Sequence, residues 1–205
     1  MNMPKIFNMV SGIVLTILLI VSCGGSSSNA GQAVLDAISA RTSIRAYQDR
    51  PVGADTVELL LRAAMSAPSA RNRQPWAFIV VDDKDLLRQL ADSLPYAQSA
   101  AAAPMAVVVC GVLTESQGAT NAGWWVQDAA AASENLLLAA HAVGLGAVWT
   151  GVYSYEDRVR AVRNVLGLPR HVVPLNVIPI GYPAENPAPK QKWDSAKVRR
   201  NGWPE

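Results

Sequence analysis

Cysteine is scarce. The chain holds only Cys23 and Cys110, and Cys23 follows directly on an apolar N-terminal run. Once that run is set aside, a single thiol remains, so a disulfide-stapled fold is excluded. Cys110 sits in PMAVVVCGV, an apolar strand pattern, and reads as a small buried hydrophobe rather than a nucleophile. His141 and His171 have no cysteine or carboxylate at zinc-like spacing, which removes the case for a metal centre; His141 reads as a hydrogen-bonded core residue. G-x-S-x-G is missing, and a serine hydrolase is unsupported. The P-loop and G-x-G-x-x-G are missing too. Neither sign of charge dominates: 18 basic against 16 acidic residues leave a net charge of +2, which is no footprint for nucleic acid. Internal repeats are absent, and the 205 residues fit one domain with a core of its own.

The leader is informative. MNMPKIFNMVSGIVLTILLIVSC has one Lys near its start and an apolar run from Met9 to Val21. That run is short for a bilayer span of ~20 residues and fits a signal-peptide core. Ile20-Val21-Ser22-Cys23 resembles a bacterial lipobox, in which Cys23 becomes the lipidated first residue. The alternatives are an ordinary cleaved signal or an uncleaved anchor. The expected organisation is a lipoprotein signal peptide over 1–22, a Gly/Ser-rich tether over 23–32 and a folded domain over 33–205, held at a bacterial membrane in the cell envelope. No twin-arginine precedes the run, so a Sec-type route is expected.

Within the domain, Val34, Leu35 and Ile38 share a helical face. Val57, Leu60, Leu61 and Ala64 follow a helix period, with Asp55 and Glu58 at capping-box spacing and Pro68 as a stop. WAFIVV reads as a buried strand, DDKDLLRQLADSL as a polar-faced helix and PMAVVVCGV as a strand. Gly123 to Val143 is apolar nearly all round, interrupted by Gln127, Asp128, Glu134 and Asn135, with Gly144 as its cap. AVWTGV is a strand or strand-like turn. SYEDRVRAVRNVLGLP is a helix started at Ser154 and ended at Gly167, and PLNVIPIGYP is a final strand. The tail from Ala184 is polar and proline-rich. Irregular interleaving with the longest helix in the middle predicts an α+β fold, and so apolar a helix predicts a homodimer.

The side chains that attract attention are donors. Arg41, Ser43 and Arg45 alternate, so an extended segment turns all of them to one face, suited to a phosphate or another multiply accepting ligand. A solvated edge is the plain alternative. APSARNRQPW adds Ser69, Asn72 and Gln74, which suit a heterocycle edge or else form a Ser/Asx-type turn. Lys190 and Lys192 alternate in the tail, where a lysine pair is ordinarily a solvated face.

Taken in order, these segments resemble the FMN-dependent nitroreductase family, here in a membrane-tethered form. The matching parts are R-x-S-x-R at Arg41–Arg45, A-P-S-x-x-N-x-Q-P-W at Ala67–Trp76, the central helix with its G-L-G and short strand over Ala129–Gly151, and IGYP followed by PKQK over Ile180–Lys192. The resemblance implies an α+β homodimer: a mixed sheet flanked by helices, the long helix at the dimer interface, and two FMN sites at that interface. Arg41, Ser43 and Lys192 would meet phosphate and ribityl groups, with Lys190 beside them, and Arg45 would lie by the pyrimidine edge and tune the flavin. Pro68, Ser69 and Asn72, supported by Gln74, would come from the partner subunit. Trp149, Thr150 and Gly151 would line the ring. Trp124 and Trp125 either stack over the open ring face or pack at the interface. No side chain is implied as a catalytic acid or base.

The implied activity is ping-pong two-electron reduction of nitroaromatic, quinone or related acceptors. NAD(P)H is one possible donor; a membrane quinol or a redox protein suits an exported domain. The alternatives are a specialised relative such as a reductive dehalogenase, or a tethered electron-relay flavoprotein.

Overall fold

Apolar residues that alternate within a continuous run can feed two cores at once when a sheet is covered on both faces. The computed structural model, which describes residues 26–113 and 123–203, realises that arrangement. The elements in chain order are α1 (Ser26–Ala40), α2 (Ala54–Met65), β1 (Trp76–Val81), α3 (Lys84–Ser93), α4 (Ser99–Ala102), β2 (Met105–Val112), α5 (Trp124–Ala142), β3 (Gly146–Ala147), β4 (Thr150–Gly151), α6 (Glu156–Leu166) and β5 (Val172–Gly181). The sheet runs β1-β2-β5-β3, with β4 also paired to β5. Its ladders are antiparallel, and a parallel bridge from Ser43 to Ala147 makes the sheet mixed.

In β2, Met105, Val107 and Val109 pack with Leu60 of α2 and Leu136 and Leu137 of α5. Their neighbours Ala106, Val108 and Cys110 face the other way, among Leu87 and Leu90 of α3 and Val162 of α6. Cys110 is wholly buried, and desolvation pushes its thiol up to about 12, so it stays protonated and packs as a hydrophobe. β5 holds two prolines in a central strand, Pro174 and Pro179. The register passes from Val109–Asn176 to Cys110–Pro174, leaving Leu175 as the extra residue of a bulge. The Leu175 carbonyl turns to accept from Val152 and Tyr153 N–H, each at 3.0 Å.

Several local expectations are corrected. Helix α2 begins after Gly53 with no side-chain cap, and Glu58 pairs with Arg62 one turn on instead of boxing the N-terminus. Helix α6 starts at Glu156 behind Tyr155, so Ser154 lies outside it, while Gly167 at φ 63° does end it. Strand β1 is an edge strand and only partly buried. AVWTGV splits into the two short strands β3 and β4. Helix α1 starts at Ser26, so the expected tether is helical from that residue on. The apolar face of α1 is open: Val34, Leu35 and Ile38 are all more than half exposed.

Candidate functional site

The Arg41–Arg50 segment has no ladder of its own and is stitched between two others. On one side, Ile44 N–H donates to Ala147 O at 3.1 Å. On the other, Gln48 N–H donates to Tyr182 O at 2.8 Å and Ala184 N–H to Ala46 O at 2.9 Å. Ile44 is the buried member, seated over Gly146, where an added Cβ would come within 2.6 Å of it. Its neighbours Ser43 and Arg45 therefore turn to the opposite face. The Tyr47 hydroxyl donates to Ile44 O at 2.6 Å and lies 3.2 Å from Pro179 O; burial, then the Glu185 charge, raise its pKa.

Arg41 is mostly buried, and its Nε lies 3.3 Å from Glu134 Oε1 on α5. Beside it opens a crevice of about 290 Å³ lined by Arg41, Thr42, His141, Glu185, Pro187 and Pro189, among others. His141 is thus a half-exposed crevice residue in the last turn of α5, not the core residue expected. Glu185 accepts from Arg45 N–H and, at 3.1 Å, from Ala46 N–H. These two bonds, with the Arg45 charge adding to them, hold its carboxyl below the usual glutamate range. Because the folded pKa is depressed, this interaction is fully present above the ordinary glutamate pKa. It is lost only as pH falls through the lowered value.

β3 leads through Val148 and Trp149 straight into β4. Thr150 is buried opposite Val177 and Trp149 is partly exposed. Gly151 has an ordinary φ, and among the described residues no atom beyond its chain neighbours lies within 4 Å of where its side chain would be. Neither backbone conformation nor packing among the described residues requires glycine there.

The Ala67–Trp76 loop is built as the Ser-type turn that the residues offered as an alternative. Ser69 Oγ accepts from Gln74 N–H at 2.9 Å, and Gln74 Nε2 donates to Asn72 Oδ1 at 2.9 Å. Arg71, Asn72 and Gln74 all have positive φ, from 50° to 56°. Pro68, Asn72 and Gln74 are exposed at the surface. Asp128, buried in α5, ties the loop down by accepting from Ala70 N–H at 2.9 Å. Replacing Asp128 by Ala leaves that N–H without its acceptor and is expected to destabilise the chain by about 1–2 kcal/mol, while Asn preserves most of the stability. Urea denaturation of both variants checks this; equal losses would show that the acceptor is not what matters.

The structure brings the Arg41–Arg45 segment against Ala147 through Ser43 and Ile44, and Trp149, Thr150 and Gly151 follow Ala147 along the chain. Pro187 and Pro189 bring the start of the tail past Arg41, and Lys190 follows them; Lys190 and Lys192 are both exposed. The Pro68–Gln74 loop is not part of this edge. It hangs from Asp128, whereas Arg41 pairs with Glu134 and the crevice borders Leu137 and His141, about 9 to 20 Å further along α5 at 1.5 Å per residue. Trp124 and Trp125 divide: Trp125 is buried, edge-on to Tyr153 at 4.8 Å, and Trp124 is half exposed. Glu185 and Asp128 were not read as site residues from the sequence. A carboxylate inside an apolar helix was the signal for Asp128, and Glu185 left none.

Among the described residues no cluster of three or more His, Cys, Asp or Glu side chains could hold a metal, and no helix is long and apolar enough to cross a membrane. The lipobox and Cys23 lie outside the described residues.

Sequence and structure comparisons identify the family. The nitroreductase family model matches residues 38–125 and 93–182. A Methanothermobacter thermautotrophicus protein, provisionally described as an NADH dehydrogenase/NAD(P)H nitroreductase, is 46% identical over 83% of this chain and 87% of its own length. A Bacteroides thetaiotaomicron crystal structure of the same provisional description is 45% identical, covers 83% of this chain and 98% of its own, and superposes with a TM-score of 0.78. A Desulfovibrio desulfuricans protein, provisionally described as a nitroreductase and solved in complex with FMN, is 31% identical over 83% of this chain and 98% of its own, with a TM-score of 0.70. The chain belongs to the nitroreductase family.

Proposed function

We propose that the protein is an FMN-dependent oxidoreductase that reduces nitroaromatic, quinone or related aromatic acceptors with electrons from NAD(P)H. The observation that carries this reading is the bridge from Ser43 to Ala147, which sets the Arg41–Arg45 segment beside the strand that leads on to Gly151. Guanidinium and hydroxyl groups suit a phosphate and a polyol. A glycine that, among the described residues, neither conformation nor packing requires leaves room for a flat ring against the main chain. The donor set therefore fits FMN. Arg41 and Ser43, with Lys190 and Lys192 from the tail, hold the phosphate and ribityl end. Arg45 offers a cation at the pyrimidine edge, and Trp149, Thr150 and Gly151 flank the ring.

When bound, FMN supplies the two-electron chemistry, taking a hydride from the donor and passing it to the acceptor. Donor and acceptor use one place in turn, so steady-state kinetics are ping-pong. The donor assignment draws on the NAD(P)H in the descriptions of the relatives.

A homodimer completes the site. The Pro68–Gln74 loop hangs from Asp128 and is exposed away from the donor segment, which suits it to reach the flavin of a second copy. The apolar groove of about 440 Å³ between α1, α2 and α5 gives that copy a surface to cover. The lipobox-like Ile20–Cys23 run supports a lipid-anchored assembly at a bacterial membrane.

The visible spectrum of the purified chain is the test. Flavin bands, with FMN released on denaturation, are expected. A colourless chain that takes up no added FMN in calorimetry overturns the reading.

A further inference from the structure

We infer that Glu185 is a positioning residue for the cofactor: a carboxylate that reaches across from the chain after β5 and clamps two consecutive backbone N–H groups of the donor segment. The inference rests on the flavin reading above. Its physical basis is the path of the Arg41–Gln48 backbone. Ile44 N–H goes to Ala147 and Gln48 N–H goes to Tyr182. Between them, Arg45 and Ala46 N–H point to neither neighbour and meet Glu185 Oε1, from 140 and 139 residues away. A stretch of extended chain that changes neighbours must satisfy the donors at the crossing point, and one carboxylate oxygen here accepts from both. Arg45 is the residue at that crossing. Its side-chain direction is set by the peptide that Glu185 holds, and Glu185 also lines the crevice beside Arg41.

Two roles are possible for a carboxylate placed among cations, and they differ in sign. As a charge, Glu185 repels the phosphate of FMN and draws on the Arg45 guanidinium, so removing it strengthens cofactor binding. As a clamp, it fixes the donor face in advance, so removing it leaves a segment that must be ordered when the cofactor binds. The clamp predicts weaker binding. Because Glu185 is exposed, freed N–H groups are hydrated rather than buried, and the fold itself is little affected.

The experiment compares the full chain with its Glu185→Ala and Glu185→Gln variants. It measures FMN affinity by calorimetry and, without cofactor, backbone amide exchange at Arg45 and Ala46. Gln loses the charge and keeps a carbonyl oxygen for both N–H groups. Ala is expected to weaken FMN binding about tenfold, the order of one ordered side chain. It should also speed exchange at Arg45 and Ala46, with Tm within about 2 °C of wild type. Gln is expected to bind FMN at least as tightly as wild type with slow exchange. Ala binding as tightly as wild type or more so, or unchanged exchange at Arg45 and Ala46, overturns the clamp. A wild-type chain that takes up no FMN overturns the flavin reading instead, and the exchange rates then decide the clamp alone.

Discussion

Alanine at Gly111 is expected to destabilise the protein by about 3 kcal/mol, the upper end of what overpacking a core costs. A Cβ built at Gly111 falls 2.2 Å from Trp125 Cε3, with Cδ2 at 2.7 Å and Cζ3 at 2.9 Å. Neither side can retreat cheaply. Gly111 is held by Trp76 of β1 on one flank and Val173 of β5 on the other. Trp125 is buried, and its ring is blocked on another side by Tyr153 at an interplanar angle of 68°. The loss corresponds to a fall of roughly 10 °C in Tm for a domain of this size. Thermal and urea unfolding read it, and pairing the change with Trp125→Leu recovers part of it because the clashing ring is gone. A loss below about 1 kcal/mol in the single variant would mean that the indole is free to move aside, and that β2 and α5 are less tightly coupled than the packing implies.

Arg41→Ala is expected to weaken FMN binding by about 100-fold, or about 2.7 kcal/mol, with little change in stability. The two readouts separate because of where each end of the Arg41–Glu134 pair sits. The Arg41 side chain is 17% exposed and Glu134 is 49% exposed. Removing the arginine leaves a carboxylate that water can reach, which costs little. It also takes away a guanidinium fork from the crevice, and hydrogen bonds to charged groups are the costly ones to lose. Lysine restores the charge without the fork, so Arg41→Lys is expected to fall between wild type and alanine. Calorimetry with FMN and a melting curve of each variant suffice. Unchanged affinity in Arg41→Ala would remove Arg41 from the cofactor's contacts while leaving the fold and the family untouched.

The relation of sequence to structure differs between fold and site. Strand β2 and helix α5 were legible because burial imposes a period: PMAVVVCGV feeds both cores from alternate residues, and the apolar helix packs on one of them. Gly144 and Gly167 were legible as helix ends, because left-handed φ selects glycine. The caps of α2 and α6 were misread because Asp55 and Ser154 are permissive signals. Whether such a side chain turns back onto the helix depends on where the preceding chain enters, and here Gly53 and Tyr155 take those positions. The half-buried character of β1 was hidden because WAFIVV carries no mark of being at an edge; the order of strands decides that.

For the site, spacing offered Arg41, Ser43 and Arg45 as one face, since an extended chain repeats every second residue, but left a solvated edge as an equal alternative. Only the fold set that segment beside Ala147, more than a hundred residues later, and hung the Pro68–Gln74 loop from the N-terminal part of α5. Glu185 could be found in no other way, and the apolar helix around Asp128 marked that carboxylate without naming its partner. A hydrogen bond from a carboxylate to a backbone N–H carries no sequence preference at the donor, so nothing in Arg45, Ala46 or Ala70 announces its partner. Local chemistry thus identified the donors, and long-range packing chose the acceptors that hold them in place.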